Sequence, residues 1–287
     1  MPRQDGRQTG DQRTRERLHA HWEIERELAD RLRGASRDER TTLYGTVYDE
    51  LFRRVPDHPQ VLRKASAEDR RASVRATREL LVPFLAPGET FLEIGAGDCA
   101  VSLGLADLAG RVYAVEVSRE IAHTDAAPGN FALLITDGRA IPVPPESVDL
   151  AYSNQLIEHL HPDDAAEQVA NVFAALRPGG RYICLTPNRL LGPADVSQYF
   201  EDEVASGFHL REYSERELRD LFRDAGFGTV KSLVNLRGRR RAAPLAPVAV
   251  AEAAFQSLPR TARLRLKRTR PVQKLLDPGG GVVAIKR

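Results

Sequence analysis

Apolar positions near the start of the chain recur with the spacing of α-helices. Leu18, Trp22, Leu28 and Leu32 are separated by one helical turn or by multiples of a turn, which predicts a first helix. The capping-box pattern that begins at Ser36 predicts the start of a second helix. This second helix is expected to carry an apolar stripe with i, i+3, i+4, i+7, i+8 spacing, formed by Tyr44, Val47, Tyr48, Leu51 and Phe52.

A third helix is expected at about 66–85, where Pro87 and Gly88 close it. The pattern therefore predicts a helical N-terminal extension, or cap, at 13–88. The residues before it, 1–12, are polar and rich in Gly and Gln, a composition that predicts a disordered tail.

At Glu89 the pattern changes, because short apolar runs begin to alternate with helical stretches. Alternating strands and helices with short connections predict an α/β fold with a doubly wound, mostly parallel, seven-stranded sheet at 89–287. A basic insertion with one or two helices is expected to interrupt it at about 235–278. The strands are expected at 90–94, 112–117, 131–135, 148–153, 181–185, 229–234 and 282–285. The helices are expected at 100–108, 119–125, 162–176 and 215–225.

Charge is spread unevenly along the chain. The net charge is only +2, but the stretch 231–287 holds fourteen Lys and Arg residues against two acids. The segment 237–270 is therefore a solvated basic face or a weak contact for an anionic surface. Its only aromatic residue is Phe255, so stacking platforms for bases are missing and a nucleic-acid partner is not favoured.

The cysteines indicate a reducing compartment, and the hydropathy of the chain indicates neither a signal peptide nor a membrane span. Cys99 and Cys184 form no CxxC pair and no cluster with metal-ligand spacing, so we expect neither a disulfide framework nor a metal site. The first 17 residues lack the apolar core of a signal peptide, and the most apolar stretch, 242–255, contains prolines and is too short to cross a bilayer. We expect a cytoplasmic protein without a transmembrane segment.

The first strand of the α/β region runs into a glycine turn and then a helix. The turn is Gly95-Ala96-Gly97, and its glycines allow a sharp bend and a close approach of the backbone to a ligand. The free N–H groups of the following helix would face that ligand. This pattern alone fits dinucleotide-binding folds as well as methyltransferases.

Three acidic residues separate these two classes. Glu93 precedes the turn, where a carboxylate repels a pyrophosphate but tolerates a cationic sulfonium or an amino group. Glu116 ends the second strand, where it can accept hydrogen bonds from two ribose hydroxyls. Asp137, followed by Gly138, ends the third strand and can accept from an adenine amino group. A nicotinamide-dependent oxidoreductase is therefore disfavoured.

With these residues in order, the stretch 89–234 resembles the class I S-adenosylmethionine-dependent methyltransferases, which have a Rossmann-like fold. Glu93-Ile-Gly-Ala-Gly resembles their first motif, and the segments 147–160 and 176–185 resemble the fourth strand with its loop and the turn into the fifth strand. The resemblance implies that S-adenosyl-L-methionine is the cofactor. It places the cofactor-binding residues at Glu93, Gly95, Ala96, Gly97, Glu116, Asp137, Gly138, Asn154 and Gln155, the last two near the transferred methyl group.

Two histidines are candidates for the removal of a proton from an alcohol acceptor. His159 follows the fourth strand, and His209 precedes the last helix before the sixth strand. A structural role remains open for each of them.

The reaction class that we expect is O-methylation of a small molecule, a sugar or glycan, or a lipid-like acceptor. Two alternatives stay open. The chain could methylate RNA or protein and dock through its arginine-rich segment, or it could be a methyltransferase-like binding module without catalysis. The sequence does not decide between the acceptors, and it gives no oligomeric state.

Overall fold

The computed structural model describes residues 13–59, 67–200, 202–236, 239–276 and 280–287. The tail for which the sequence predicts disorder, 1–12, lies outside these residues. The described chain forms one sheet with helices on both faces. Its strands are β1 Thr90–Ile94, β2 Arg111–Glu116, β3 Phe131–Ile135, β4 Val148–Asn154, β5 Leu176–Leu185, β6 Thr229–Leu236, β7 Arg239–Pro244 and β8 Gly281–Ile285.

The strand order is β3-β2-β1-β4-β5-β8-β6-β7. The first five strands pair in parallel, whereas β8 is antiparallel to both β5 and β6. The mostly parallel α/β fold that the sequence predicts is thereby confirmed. Parallel strands place their carboxyl ends at one edge of the sheet, and ligands bind there in open sheets of this kind.

The sheet has eight strands, one more than the seven that we expect from the sequence. The additional strand, β7, lies inside the basic insertion and pairs antiparallel with β6. Its sequence, Arg-Arg-Arg-Ala-Ala-Pro, has neither the alternation nor the β-branched residues of a strand. The pattern of apolar and polar residues therefore does not predict its pairing with β6.

Nine helices of more than one turn surround the sheet in the described residues. They are α1 Arg15–Gly34, α2 Arg37–Arg54, α3 Ala67–Leu81, α4 Ala100–Leu105, α5 Pro162–Ala175, α6 Glu215–Asp224, α7 Leu245–Gln256, α8 Arg260–Leu266 and α9 Arg270–Leu276. The capping boxes at Ser36 and Ser214 are both formed. The helix expected at 119–125 is wrong: these residues form turns, in which Ala122 N–H donates to the carbonyl of Arg119, three residues back.

The described residues of the basic insertion contain three helices, more than the one or two expected. Its most informative residue is Glu252, a buried acid on the otherwise apolar helix α7. The carboxylate accepts the backbone N–H groups of Glu215 and Arg216 at 2.9 and 3.2 Å, so it caps the first turn of α6 from another element. These two hydrogen bonds attach helix α7 of the insertion to helix α6.

No helix among the residues that the structure describes has the length and apolar character needed to cross a membrane.

Candidate active site

A cavity of about 470 Å³ opens at the carboxyl ends of β1, β2 and β4, and helices α2 and α3 close its other side. Its volume falls within the range of small-molecule sites, about 300–1,000 Å³. Of the residues that the sequence places in the site, those that line the cavity are Glu93, Gly95, Ala96, Gly97, Glu116, Gly138, Asn154, Gln155 and His159. Asp137 and His209 are not among the described residues that line it.

The glycine turn has the backbone geometry that its sequence suggests. Gly95 and Gly97 have φ values of 70° and 54°, in the left-handed region that favours glycine. The N–H groups of Gly95 and Ala96 both donate to the carbonyl of Val115, at 2.9 and 3.1 Å. A Cβ atom on Gly95 would lie 3.0 Å from Leu156 Cδ1. The turn is thus fixed against β2, and a side chain at Gly95 would require Leu156 to move.

Glu116 presents a carboxylate to the cavity from the end of β2. One of its oxygens accepts the N–H of Gly97 and the other accepts the N–H of Val117, each at 2.7 Å. A carboxylate has about four lone-pair positions, so two remain for a ligand with paired hydroxyls. The glycine turn and this acid therefore fit the ribose and methionine parts of S-adenosylmethionine.

Glu93 is buried beneath the glycine turn and contacts helix α4. Its Oε2 accepts both the N–H of Ser102, at 3.0 Å, and the Ser102 hydroxyl. Burial raises the pKa of Glu93 to about 8, although the two hydrogen bonds from Ser102 act in the opposite direction. The carboxyl group therefore holds α4 in place as well as lining the cavity.

Asp137 is engaged within its own turn. Its Oδ1 accepts the N–H groups of Arg139 and Ala140 at 3.0 and 2.8 Å, and its Oδ2 pairs with the Arg139 guanidinium at 2.7 Å. Partial burial opposes ionisation, but these hydrogen bonds lower the pKa of Asp137 to about 2. An adenine contact through this carboxylate stays a prediction, and it requires a lone pair beyond those that the turn uses.

A buried ion pair attaches helix α2 to helix α5. The Arg40 guanidinium binds both carboxylate oxygens of Asp164 at 2.6 and 2.9 Å, and both side chains are almost fully buried. Tyr44 donates its hydroxyl to the same carboxylate and accepts the N–H of His161, each at 2.8 Å. These contacts fix α2 as one wall of the cavity.

Three aromatic side chains of α2 line the cavity: Tyr44, Tyr48 and Phe52. The sequence reveals them only as part of an apolar stripe, because core-facing and cavity-facing positions have the same helical spacing. The Tyr48 ring lies edge-on against His159 and Phe208, with centroid distances of 5.8 and 5.0 Å. Helix α3 contributes a more polar wall, also missed by the sequence analysis: Asp69, Arg70, Ser73, Val74 and Thr77.

Of the two predicted histidines, His159 lines the cavity. Its Nδ1 lies 3.0 Å from the carbonyl of Phe208, which can only accept, so Nδ1 carries the hydrogen and Nε2 has the lone pair. Burial and the neighbouring His209 lower the pKa of His159 to about 3, which keeps this ring neutral.

His209 lies behind His159, with ring centroids 4.7 Å apart. Its Nδ1 is 2.7 Å from Glu212 Oε1. Burial opposes the charged ring, but the carboxylates of Glu212 and Glu158 raise the pKa of His209 to about 9. The structure therefore brings the two predicted histidines together with Glu158, and only His159 reaches the cavity.

Comparison with known proteins agrees with this geometry. A family model described as a methyltransferase domain matches residues 66–232, more than half of the chain. The chain belongs to this methyltransferase family. A Mycolicibacterium smegmatis protein named a probable S-adenosylmethionine-dependent methyltransferase is 34% identical over 142 residues, and one from Mycobacterium tuberculosis with the same description is 32% identical over 138 residues. The matched segments cover 49% and 47% of this chain, and 52% and 47% of the two relatives.

The chain thus spans about half the length of these relatives. Among solved structures, a chain from the complex between the Haloferax volcanii Trm112 methyltransferase activator and a methyltransferase superposes with a TM-score of 0.51 at 17% identity. The superposition covers 88% of this chain and 99% of that one. It confirms the fold. The family match, together with the relatives named S-adenosylmethionine-dependent methyltransferases, confirms the class I methyltransferase prediction and S-adenosylmethionine as the cofactor.

Proposed function

We propose that this chain transfers a methyl group from S-adenosylmethionine to a hydroxyl group of a small acceptor, such as a sugar or a lipid-like alcohol. The observation that carries the proposal is the position of His159. Its Nδ1–H is fixed on the Phe208 carbonyl, so that its Nε2 lone pair is the proton-binding position of an imidazole on the cavity wall. With a pKa of about 3 this nitrogen is a weak base, and it accepts the proton once the acceptor oxygen has begun to bond to the methyl carbon and has become strongly acidic. An alcohol must lose a proton when its oxygen is methylated, whereas the sulfonium donor already carries a good leaving group and needs no activation by the protein.

The cofactor end of the cavity is formed by the glycine turn and Glu116. The cofactor supplies an electrophilic methyl carbon on a sulfonium. Gly95 and Gly97 would lie against its methionine part, Glu116 would accept from its ribose, and Asn154 and Gln155 would flank its methyl group. Asn154 and Gln155 are solvent-exposed at the end of β4 and line the cavity, which supports this placement.

The acceptor end is formed by Tyr44, Tyr48 and Phe52 of α2 together with His159. Aromatic walls suit the apolar face of a sugar ring or an alkyl chain. In the transfer, the acceptor oxygen bonds to the methyl carbon as the carbon–sulfur bond breaks, and the hydroxyl proton leaves on the His159 side. Holding both reactants in one cavity lowers the entropic part of the barrier.

The experiment is a calorimetric titration followed by a transfer assay. S-Adenosylhomocysteine is expected to bind, and NADH serves as the negative control. Labelled methyl transfer is then measured on a panel of simple sugars, phenols and long-chain alcohols, with RNA and protein acceptors alongside. His159→Asn should keep the affinity for S-adenosylhomocysteine and lower turnover about 100-fold or more. His123→Asn, a change at an exposed histidine, is the matched control.

Label found only in RNA, protein or amines would overturn the hydroxyl acceptor. Full turnover of His159→Asn would remove His159 from the reaction. Failure of the wild type to bind S-adenosylhomocysteine would favour a binding module without catalysis.

A further inference from the structure

Glu158, His159 and His209, which we call the histidine cluster, are all buried, and each offers one ligand atom within 4.8 Å of the others. The two histidines come from segments about 50 residues apart, on the loop after β4 and on the loop before α6. Two imidazoles and one carboxylate form a common donor set for divalent first-row transition metals.

The outer atoms of the cluster are already held by other groups. His159 Nδ1 donates to the Phe208 carbonyl at 3.0 Å, and His209 Nδ1 lies 2.7 Å from Glu212 Oε1. Metal-binding histidines typically donate their second ring nitrogen to a carbonyl or a carboxylate in this way, which orients the ring. The arrangement leaves the two Nε2 atoms for a cation, which would displace the hydrogen that the charged His209 ring carries on its Nε2.

An unpartnered oxygen of Glu158 supports a cation site independently of the spacing of the three side chains. Glu158 Oε2 accepts the hydroxyl of Thr186 at 2.9 Å, but Glu158 Oε1 is fully buried and has no hydrogen-bond partner among the described residues. A buried carboxylate oxygen without a partner is costly, and native proteins rarely keep one unless an ion or water satisfies it. Two further acids lie beside His209: Glu212 Oε1 contacts its ring, and Asp195 Oδ2 accepts its backbone N–H at 3.4 Å.

A second group of the same composition, His21, Glu25 and His58, differs in this respect. The Arg13 guanidinium lies 2.9 Å from His21 Nδ1 and can only donate, so Nε2 of His21 must carry the hydrogen. That Nε2–H donates to Glu25 Oε1 at 2.8 Å, and Glu25 Oε2 accepts the N–H of Phe208 at 3.0 Å. This group satisfies its own donors and acceptors, and it serves to hold helix α1 against Phe208.

We propose that the histidine cluster binds one divalent cation of the zinc, cobalt or manganese class through Glu158 Oε1 and the Nε2 atoms of His159 and His209. Ligand atoms on such a cation lie about 3–3.5 Å apart, given metal–ligand distances of about 2.0–2.2 Å. Cation binding therefore requires ligand atoms that are up to 4.8 Å apart to approach one another by about 1–2 Å. The cation would enter from the cavity, because His159 lines it.

The catalytic meaning of this site rests on the proposed function, but cation binding itself does not. A cation at the acceptor end would lower the pKa of a hydroxyl that it contacts. The His159 lone pair would then bind the cation, and the proton of the acidified hydroxyl would pass to solvent in the cavity, instead of to His159, as the oxygen bonds to the methyl carbon. His159 would be a ligand in this form of the protein.

The test is a titration of the tag-free, chelator-treated chain with Co²⁺, followed by calorimetry and by the visible absorption of the bound ion, and repeated with Zn²⁺ and Mg²⁺. We expect one Co²⁺ or Zn²⁺ per chain and much weaker binding of Mg²⁺. Glu158→Gln and His209→Asn should each weaken binding about 100-fold or more. Glu212→Gln should weaken it about 10- to 100-fold, since Glu212 contacts the cluster through His209 and would not be a ligand itself. His123→Asn and His58→Asn should bind as the wild type does.

Melting curves and S-adenosylhomocysteine binding show whether each variant is folded, and Glu212→Gln provides a milder change if a ligand variant is not. Absence of Co²⁺ and Zn²⁺ binding at millimolar concentration would overturn the proposal. So would binding that survives both Glu158→Gln and His209→Asn, or that only His58→Asn removes. Cation binding by a chain that methylates no hydroxyl would support the site and contradict the proposed function instead.

Discussion

Glu116 Oε2 accepts the backbone N–H of Gly97 at 2.7 Å, so one carboxylate both ties the glycine turn to β2 and faces the cavity. The same group therefore shapes the cofactor site and offers lone pairs to the cofactor. Removal of the Glu116 carboxylate should weaken cofactor binding more than it lowers the stability of the fold, because the N–H groups of Gly95 and Ala96 keep their hydrogen bonds to the Val115 carbonyl.

We expect Glu116→Ala to weaken S-adenosylhomocysteine binding by more than about tenfold. Hydrogen bonds to a charged acceptor contribute about 1.5–3 kcal/mol, and each 1.4 kcal/mol is about tenfold in affinity. Calorimetric titration measures the effect, with the exposed Glu120→Ala as the control. Unchanged affinity in Glu116→Ala would mean that the ribose binds elsewhere.

Gly95→Ala should lower both stability and cofactor affinity. The substitution places a Cβ atom 3.0 Å from Leu156 and forces an L side chain into a left-handed conformation, at a cost of about 1–2 kcal/mol for the backbone alone. Gly34→Ala is the comparison, since a Cβ atom there meets nothing within 4 Å. Urea unfolding and titration with S-adenosylhomocysteine separate the two effects. Equal behaviour of the two variants would contradict a tight turn.

The Arg40–Asp164 pair should be a strong point of attachment for helix α2. Arg40→Ala removes the bidentate partner of the buried Asp164 carboxylate, whereas the Tyr44 hydroxyl and the Arg139 guanidinium, 3.6 Å away, remain beside it. The loss in unfolding free energy should therefore lie below about 3–5 kcal/mol, the typical cost of a fully unpaired buried charge, and well above that of an exposed pair. The pair Arg37–Glu167 joins the same two helices but is much more exposed, so Arg37→Ala should lower the free energy of unfolding by far less than Arg40→Ala does. Urea denaturation of both variants makes the comparison, and similar losses would show that burial of the first pair does not matter.

Glu93 should make stability depend on pH. Its pKa is raised by burial from an ordinary value of 4.5 to about 8, so between these pH values the folded chain binds this proton more tightly than the unfolded chain does. The contribution of Glu93 to stability therefore falls as pH rises through about 4.5–8.

Glu93→Gln cannot ionise, and it is expected to match the wild type near pH 5 and to be the more stable protein near pH 8.5. The difference should be on the order of a few kcal/mol at most. Urea unfolding at both pH values tests this, with Glu120→Gln as an exposed control. A constant difference between Glu93→Gln and the wild type across this range would show that Glu93 does not hold its proton in the folded state.

Much of this protein can be read from local sequence. The apolar runs of β1 to β6 and β8, the glycine turn and the acids at the ends of β1, β2 and β3 follow from short-range chemistry. A strand that is buried on both faces must be apolar, and a turn with positive φ favours glycine. These local rules are enough to place Glu93, Gly95, Gly97 and Glu116 at one edge of a sheet, and the family match confirms the class of protein that they suggest.

Only the tertiary structure decided what surrounds that edge. The stripe on α2 faces the cavity because Arg40 and Tyr44 bind Asp164, a contact that joins residues more than 100 positions apart. His159 and His209 meet because two loops fold over the sheet, while the Asp137 carboxylate bonds within its own turn. Such pairings depend on long-range packing, and residue spacing along the chain carries no information about them.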